Sequence, residues 1–520
     1  MTTLPDLLGR GYFPRELPPL FTTNDFASKV VSNRSSLPSS FTSNSRIAKV
    51  TCHNLARAGT LRRKLGIPNP ILHFNLCCVI EQNWSQINAH FQQSTFSRSI
   101  PIPGSTIGRA LLPLHNFDLS AFRAHTRATA RFILKADISR CYQSIYSHSI
   151  PWAIHGKLFA KNHRQLSHLG NNLDRWIRNG QDGQTIGIPI GPDTSLAIAE
   201  IILCAADLSL ANKLPGIRGL RSIDDYEFGF AEYSKAEAGL SAIQETLSEY
   251  ELELNPRKTK IIELPVPLEY PWVPELATFS FRTTPKGQKT DLIRFFDRAF
   301  ELIKDNPEEH VLKYAIPCLR SVQIDVQNWG LFQHLLMQCI NVEPGTFYSV
   351  LEQLLRYHQL GWSLDLASLE RVMNDQIIHH APLSHGSEVA WAVWSCMLFN
   401  VSIGVQAAAA LSMMEDSIVA LLSLDANQRG LIQGGLNLNI WQSYMEQQEL
   451  YGEQWLLSYE ANVKGWLPSN SGIDHVSADS NFGFLKTHNV QFYDVNRVLG
   501  IVPTGAAPST GIAPSFSLSY

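Results

Sequence analysis

An α+β region followed by an all-α half is the fold class that this 520-residue sequence predicts. Three observations predict it. Residues 131–265 alternate short apolar runs with amphipathic stretches, while from about residue 290 apolar residues recur almost only at spacings of three and four. Charge is also divided: 14 basic and 5 acidic residues over 1–130 give +9, 15 and 16 over 131–265 give −1, and 14 and 25 over 266–520 give −11. A basic N-terminal part beside an acidic C-terminal half is expected where one part grips phosphates. The chain divides at 1–130, 131–285, 286–501 and a Pro/Ser/Gly/Ala-rich tail over 502–520, expected to be flexible.

Composition narrows the class. With 44% hydrophobic and 17% charged residues and 28 prolines, whole-chain disorder, collagen and coiled coil are excluded. No clean run of 18 apolar residues appears, so no membrane span is expected. The opening MTTLPDLLGRGYFPRELPPLF carries acids and prolines and does not read as a secretory signal. Eight cysteines (52, 77, 78, 141, 204, 318, 339, 396) form no CxxC pair and read as buried thiols of a cytoplasmic protein. No GxxxxGK[ST] loop is present.

In chain order, residues 1–50 read as extended and Ile71–Ile80 as an apolar segment among Arg57, Arg62, Arg63, Lys64, Arg98 and Arg109. Phe132-Ile133-Leu134 is a buried-strand run ending at Ala136-Asp137. Asp193 or Thr194 caps a helix through Leu196, Ala199, Leu203, Ala206 and Leu210. Ile217–Ile223 and Tyr226–Phe230 form a β-hairpin with Asp224-Asp225 at its tip. Leu240, Ile243 and Leu247 mark a helix, followed by the turn Asn255-Pro256. Helices are then expected over 291–304, 328–341, 345–359, 387–398 and 405–422, as a bundle or helical repeat without a clean period.

Three aspartates carry the chemistry: Asp137 at a strand end and the pair Asp224-Asp225, which only a fold can unite. Carboxylates facing one another hold two divalent cations about 3.5–4 Å apart, one activating an attacking hydroxyl and the other neutralising a leaving pyrophosphate. Mg²⁺ suits such oxygen sites, with Mn²⁺ as a substitute. His379, His380 and His385, near Asp375, match no metal-ligand spacing and read as helix-surface histidines, and Trp391, Trp394, Met413 and Met414 as helical core.

The strings FILKADISRCYQSIYSHSIPWAIHGK, GIPIGPDTSLAIAE, RSIDDYEF and LNPRKTK, in this order, resemble palm motifs A to D of reverse transcriptases. SIYSHSIPWAIHGK and the opening GRGYFPRELPPLF are similar to recurrent features of the bacterial abortive-infection and defence-associated members. That resemblance covers about residues 10–265 well and the helical half more loosely. It implies a right-hand polymerase with fingers over 1–130 and palm over 131–285, followed by an α-helical repeat domain.

The resemblance further implies residue roles. Asp137, helped by the backbone carbonyl of Ile138, and Asp224 and Asp225 become the metal ligands. Tyr142 becomes a ring that blocks a 2′-hydroxyl and so selects dNTPs. Lys258 becomes the group that protonates or neutralises pyrophosphate. Pro189 and Gly191 shape a flexible loop that template and nucleotide approach. Arg127 and Arg131, with Arg123 competing, grip the triphosphate. The implied partners are dNTPs, a template or non-coding RNA, a DNA product and further copies of the chain, with no membrane. Some members prime from a protein hydroxyl, which makes Tyr520 in the tail a candidate.

Two departures matter. The motif C position usually held by an aromatic is Ser222, and the motif B position usually held by Gln is Ile190. Both groups help to position primer, template and nucleotide, so template-restricted or template-independent synthesis becomes an expectation beside RNA-directed synthesis. The rival readings are a catalytically silent nucleic-acid-binding scaffold that retains the palm shape, and an RNA-synthesising polymerase, which Tyr142 disfavours.

Overall fold

A computed structural model describes residues 2–43, 45–104, 108–113 and 118–498. The described residues are mixed α/β and mostly helical, with eight short strands among them. Strands β1 (Thr51–Ala56) and β2 (Arg62–Ile67) form one antiparallel hairpin, and β3 (Pro101–Pro103) and β4 (Leu111–Pro113) another. The remaining four, β5 (Phe132–Asp137), β6 (Arg218–Ser222), β7 (Asp225–Phe230) and β8 (Lys260–Glu263), make one antiparallel sheet in the order β6-β7-β5-β8. This order puts β5 beside β7 although 87 residues separate Asp137 from Asp224.

The helix Asp193–Lys213 runs behind the sheet and is buried along most of its length. It is long and apolar enough to cross a bilayer, but its apolar surface is covered by protein on nearly every side. Asp193 does not cap this helix through its side chain, which instead pairs with Arg109 (Nε–Oδ1 2.7 Å) and accepts from the Leu111 N–H. Residues 1–50 are not extended throughout: Leu4–Gly9 and Asn24–Ser32 are helices, the first capped by Thr3 with proline inside its opening turn.

The helical half begins with Pro285–Asp305 and continues through Trp329–Val342, Phe347–Gln359, Leu366–His380 and Gly386–Phe399. The helix expected over 405–422 is two, Val405–Leu411 and Ser417–Gln428. Asp416 breaks it, because its side chain accepts from the Ile418 and Val419 N–H groups and starts the second helix. All eight cysteines are free thiols and most are buried.

The N-terminal residues and the helical half are separate in sequence but interlocked in space. Thr22 N–H donates to Phe492 O, Asp494 N–H to Leu20 O, and Trp455 Nε1 to Ile67 O. Ion pairs join the same parts, Arg46–Asp479 (3.6 Å) and Arg62–Glu388, as does a hydrogen bond between His53 Nδ1 and Asp416 (2.9 Å). Part of the charge asymmetry along the chain is therefore internal complementarity and not phosphate-binding surface.

Candidate active site

Register delivers the acids to one edge. In the β5–β7 ladder Asp137 is the direct partner of Asp225, and in the β6–β7 hairpin Ser222 is the partner of the same Asp225. Ile223 and Asp224 are thus the two residues of the turn. The Ile138 N–H donates to the Asp224 carbonyl (3.0 Å), which ties the end of β5 to this turn. Asp137 is buried, Asp224 half-buried, and Asp225 opens to solvent.

Two-residue hairpin turns need positive φ, normally supplied by glycine, asparagine or aspartate. Here the residue is Ile223, at φ 55°, a conformation unfavourable for a β-branched side chain. The surroundings enforce it. Ser99 Oγ accepts from the Ile223 N–H (2.8 Å), and Arg221 Nη1 donates to the Ile223 carbonyl (2.8 Å). Arg221 is itself fully buried between Glu200 (Nη2–Oε1 2.8 Å) and Asp207 (Nη2–Oδ2 2.8 Å) of the helix Asp193–Lys213. Ser94 donates to Asp207 (2.6 Å) and Ser97 to Glu200. This ion cluster lies directly behind the Ile223-Asp224 turn and fixes its backbone.

The turn over 255–258 closes the other side. Asn255 donates from its N–H to the Asp137 carbonyl (2.7 Å) and from Nδ2 to Asp137 Oδ1 (3.0 Å). Lys258 Nζ donates to Asp137 Oδ2 at 3.0 Å. Both Asp137 oxygens are engaged, one by a neutral amide and one by an ammonium.

The electrostatics are those of excess negative charge. Dehydration, then repulsion by Asp137, raises the Asp224 carboxyl above the ordinary range, against the pull of Lys258 and Arg63. Dehydration in the cleft and repulsion by Asp224 and Asp137 push Asp225 up to about 7. Lys258 loses some stability to dehydration, but the three acids outweigh this and raise its pKa. A hard divalent cation relieves such crowding, so the donor set fits Mg²⁺ or Mn²⁺.

Tyr142, on the short helix Cys141–Ser144, is buried beside this edge. The loop holding Pro189 and Gly191 lies against the same segment: Ile188 N–H donates to Tyr142 O (2.8 Å) and Gly187 N–H to Ile145 O (2.7 Å). In this structure the loop is tethered at several points. Gly66 N–H donates to Ile190 O, Arg109 Nη2 donates to Gly191 O (2.7 Å), and Gly191, at φ 133°, packs so closely on Pro14 that a Cβ would lie 2.5 Å from its Cγ. Glycine is required here for space as well as conformation.

Of the two arginines expected at the triphosphate, one lies far along β5 and the other is ion-paired within the chain. Arg131 precedes β5 and sits at its far end, six residues and about 20 Å from Asp137. Arg127 is buried, pairs with Glu227 (2.8 Å) and donates to the carbonyls of Val266 (3.2 Å) and Pro267 (2.9 Å); Arg123 binds the other Glu227 oxygen (3.0 Å). These arginines stitch β7 to the segment that follows β8. Beside Lys258, Arg63 of β2 also acts on the acids through its attraction to Asp224, and sequence reasoning placed it only in a general basic region. Dehydration lowers its pKa to about 10, with Arg57 repelling it and Asp224, Glu16 and Tyr142 attracting it. Its sole signal in the sequence was membership of the Arg62-Arg63-Lys64 run. Tyr520 lies outside the described residues.

His380 and His385 also depart from expectation. They are half-buried, not surface residues, and converge on Glu388 and not on Asp375.

No family model matches the chain, and no curated protein matches it. Among solved structures 53 chains match. One is a telomerase from Candida tropicalis in complex with the TWJ fragment of telomeric RNA: 12% identical, covering 77% of this chain and 67% of that one, with a TM-score of 0.28. So slight a likeness carries no argument about the site.

Proposed function

We propose that this chain is a cation-dependent nucleotidyltransferase of the reverse transcriptase kind, adding dNTPs to a hydroxyl end either on an RNA template or without a template, in bacterial antiphage defence. The observation that supports it is the placement of Asp137, Asp224 and Asp225 on one sheet edge, with Lys258 bonded to the first. The defence setting, a tyrosine primer such as Tyr520, and assembly of several copies rest on the resemblance of the motif strings.

Asp137, Asp224 and Asp225, with the Ile138 carbonyl, would hold two Mg²⁺ ions. When bound, these ions neutralise the acids and polarise the attacking hydroxyl and the leaving pyrophosphate. The remaining work falls to the chain's own groups. Arg63 offers forked donors to the triphosphate opposite the acids. Lys258, already protonated and drawn into the site, gives a proton to the departing pyrophosphate. The Tyr142 ring fills the space that a 2′-hydroxyl needs. Arg221 and Ser99 keep the Ile223-Asp224 turn from relaxing as charge moves through the site.

The test is incorporation of labelled dNTPs by purified protein with Mg²⁺ or Mn²⁺ and its co-purifying nucleic acid. Product made by wild type and absent with Asp224→Ala sustains the reading. Equal background from both leaves the nucleic-acid-binding scaffold in its place.

A further inference from the structure

The chain corner between two helices of the C-terminal half gathers three metal-ligating groups that the proposed polymerase site does not use. His380 ends the helix Leu366–His380, a 3₁₀ turn over Ala381–Leu383 follows, and Ser384 reverses the chain at φ 53°. The His385 N–H then donates to the His380 carbonyl (3.1 Å), which fixes the two histidines side by side. Glu388 lies three residues further, on the same face of the helix Gly386–Phe399.

Their ligand atoms converge. His380 Nδ1 and His385 Nδ1 are 3.0 Å apart, and they lie 3.9 and 3.8 Å from Glu388 Oε1. A triangle with these three sides has a circumscribed radius of about 2.1 Å, the bond length that Zn²⁺ takes to imidazole nitrogen and carboxylate oxygen. The geometry points to a Zn²⁺-type divalent cation site formed by His380 Nδ1, His385 Nδ1 and Glu388 Oε1, with a fourth position open out of their plane for water.

The surroundings suit an outer layer. Glu388 is almost wholly buried, and its Oε2 accepts from Arg62 Nη2 (2.8 Å) and Ser387 Oγ (2.7 Å). These bonds orient the carboxylate as partners of metal ligands commonly do. Oε1 is shared with Arg62 Nη1, so Arg62 is the group with which the cation competes. On binding, the hydrogen of the Nδ1···Nδ1 bond shifts to that ring's Nε2 through solvent, and both rings stay neutral. The pair of imidazole nitrogens with one carboxylate selects a borderline cation over Mg²⁺. Because Arg62 belongs to β2 and Ser384 O accepts from Asn54 of β1 (2.9 Å), the cation would sit where the β1–β2 hairpin, which carries Arg63, meets the helical half.

The test is Co²⁺ titration of chelator-treated full-length protein, followed by the visible bands of tetrahedral Co²⁺, with displacement by Zn²⁺ and the melting temperature as second readouts. The expected result is one Co²⁺ per chain at this site, a rise of a few degrees in melting temperature with Zn²⁺, and at least a 10-fold loss of affinity in His385→Ala and in His380→Ala/His385→Ala. His385→Gln replaces either variant if circular dichroism shows misfolding. The proposal is overturned if wild type gives no tetrahedral band, if the double variant keeps it, or if Asp224→Asn alone removes it. The first outcome leaves Arg62 as the sole cation of Glu388, and the last assigns the binding to the palm acids. None of these outcomes depends on polymerase activity.

Discussion

Asp137 and Asp225 are direct cross-strand partners in the β5–β7 ladder, two carboxylates placed opposite each other where like charges destabilise a sheet. Asp224, in the adjoining turn, adds a third. A fold that needed only stability would not place them so, and the arrangement has consequences that can be measured.

The first concerns pH. The folded-state pKa of Asp225 is raised to about 7 against about 3.9 in an unfolded chain. In this interval the folded state binds more protons than the unfolded one, so stability from this group is fully present below the unfolded value and is lost as pH rises towards 7. Melting temperature without divalent cation should fall between pH 5 and 7. Asp225→Asn should flatten that slope, and millimolar Mg²⁺ should raise wild type most at pH 7. An unchanged slope in Asp225→Asn would remove the acid cluster as its cause.

Arg221 should be the costliest single truncation near the site. Arg221→Ala strands Glu200 and Asp207 as buried charges, which costs about 3–5 kcal/mol when one member of a buried pair is removed. Urea denaturation measures this. In variants that still fold, such as Arg221→Lys, the Ile223 carbonyl loses its forked donor, and the Mg²⁺ concentration for half-maximal activity should rise.

Arg63 and Arg131 separate two assignments of the triphosphate contact. Arg63→Ala should raise KM for dNTP about 10-fold or more, since charge-assisted hydrogen bonds contribute about 1.5–3 kcal/mol. Arg131→Ala, at the remote end of β5, should leave KM and kcat within two-fold. Steady-state kinetics on both variants decides; the reverse pattern would restore Arg131.

Tyr142→Ala should open the sugar pocket. Discrimination between dNTP and NTP should fall by about 10²-fold, the scale on which a pocket rejects one extra hydroxyl. Competition between labelled dATP and ATP measures it, and unaltered discrimination would return Tyr142 to the role of a core ring.

Much of the four-stranded sheet and the helix behind it was legible along the chain. The period-two run of Tyr226, Phe228 and Phe230, the apolar Phe132–Ala136 and the helix starting at Asp193 are local patterns, and local patterns follow from backbone periodicity. The expected hairpin placed both acids at its tip, and the ladder refines this: Asp224 is in the turn while Asp225 already pairs with Asp137. The partner of Arg127 was not legible, because nearness in sequence to β5 does not show that Glu227, 100 residues away, pairs with it. The nearness of Arg63 to Asp224 was hidden for the same reason. The surface reading of His380 and His385 failed because helical spacing describes one helix, whereas the Ser384 corner folds two helix ends together.

By itself the sequence determined most of the elements and their chemical endowment: which runs become strands, where most helices lie, and that one aspartate ends a strand while two others adjoin a hairpin turn. Spacing and side-chain type are local, and they survive without knowledge of the fold. Only the tertiary structure decided which charges meet. It turned part of the N-terminal basic excess inward to Asp479 and Glu388, set Lys258 on Asp137, and held Ile223 in a conformation its own side chain disfavours. Such pairings depend on distance and dielectric through space, and the order of residues along a chain specifies neither.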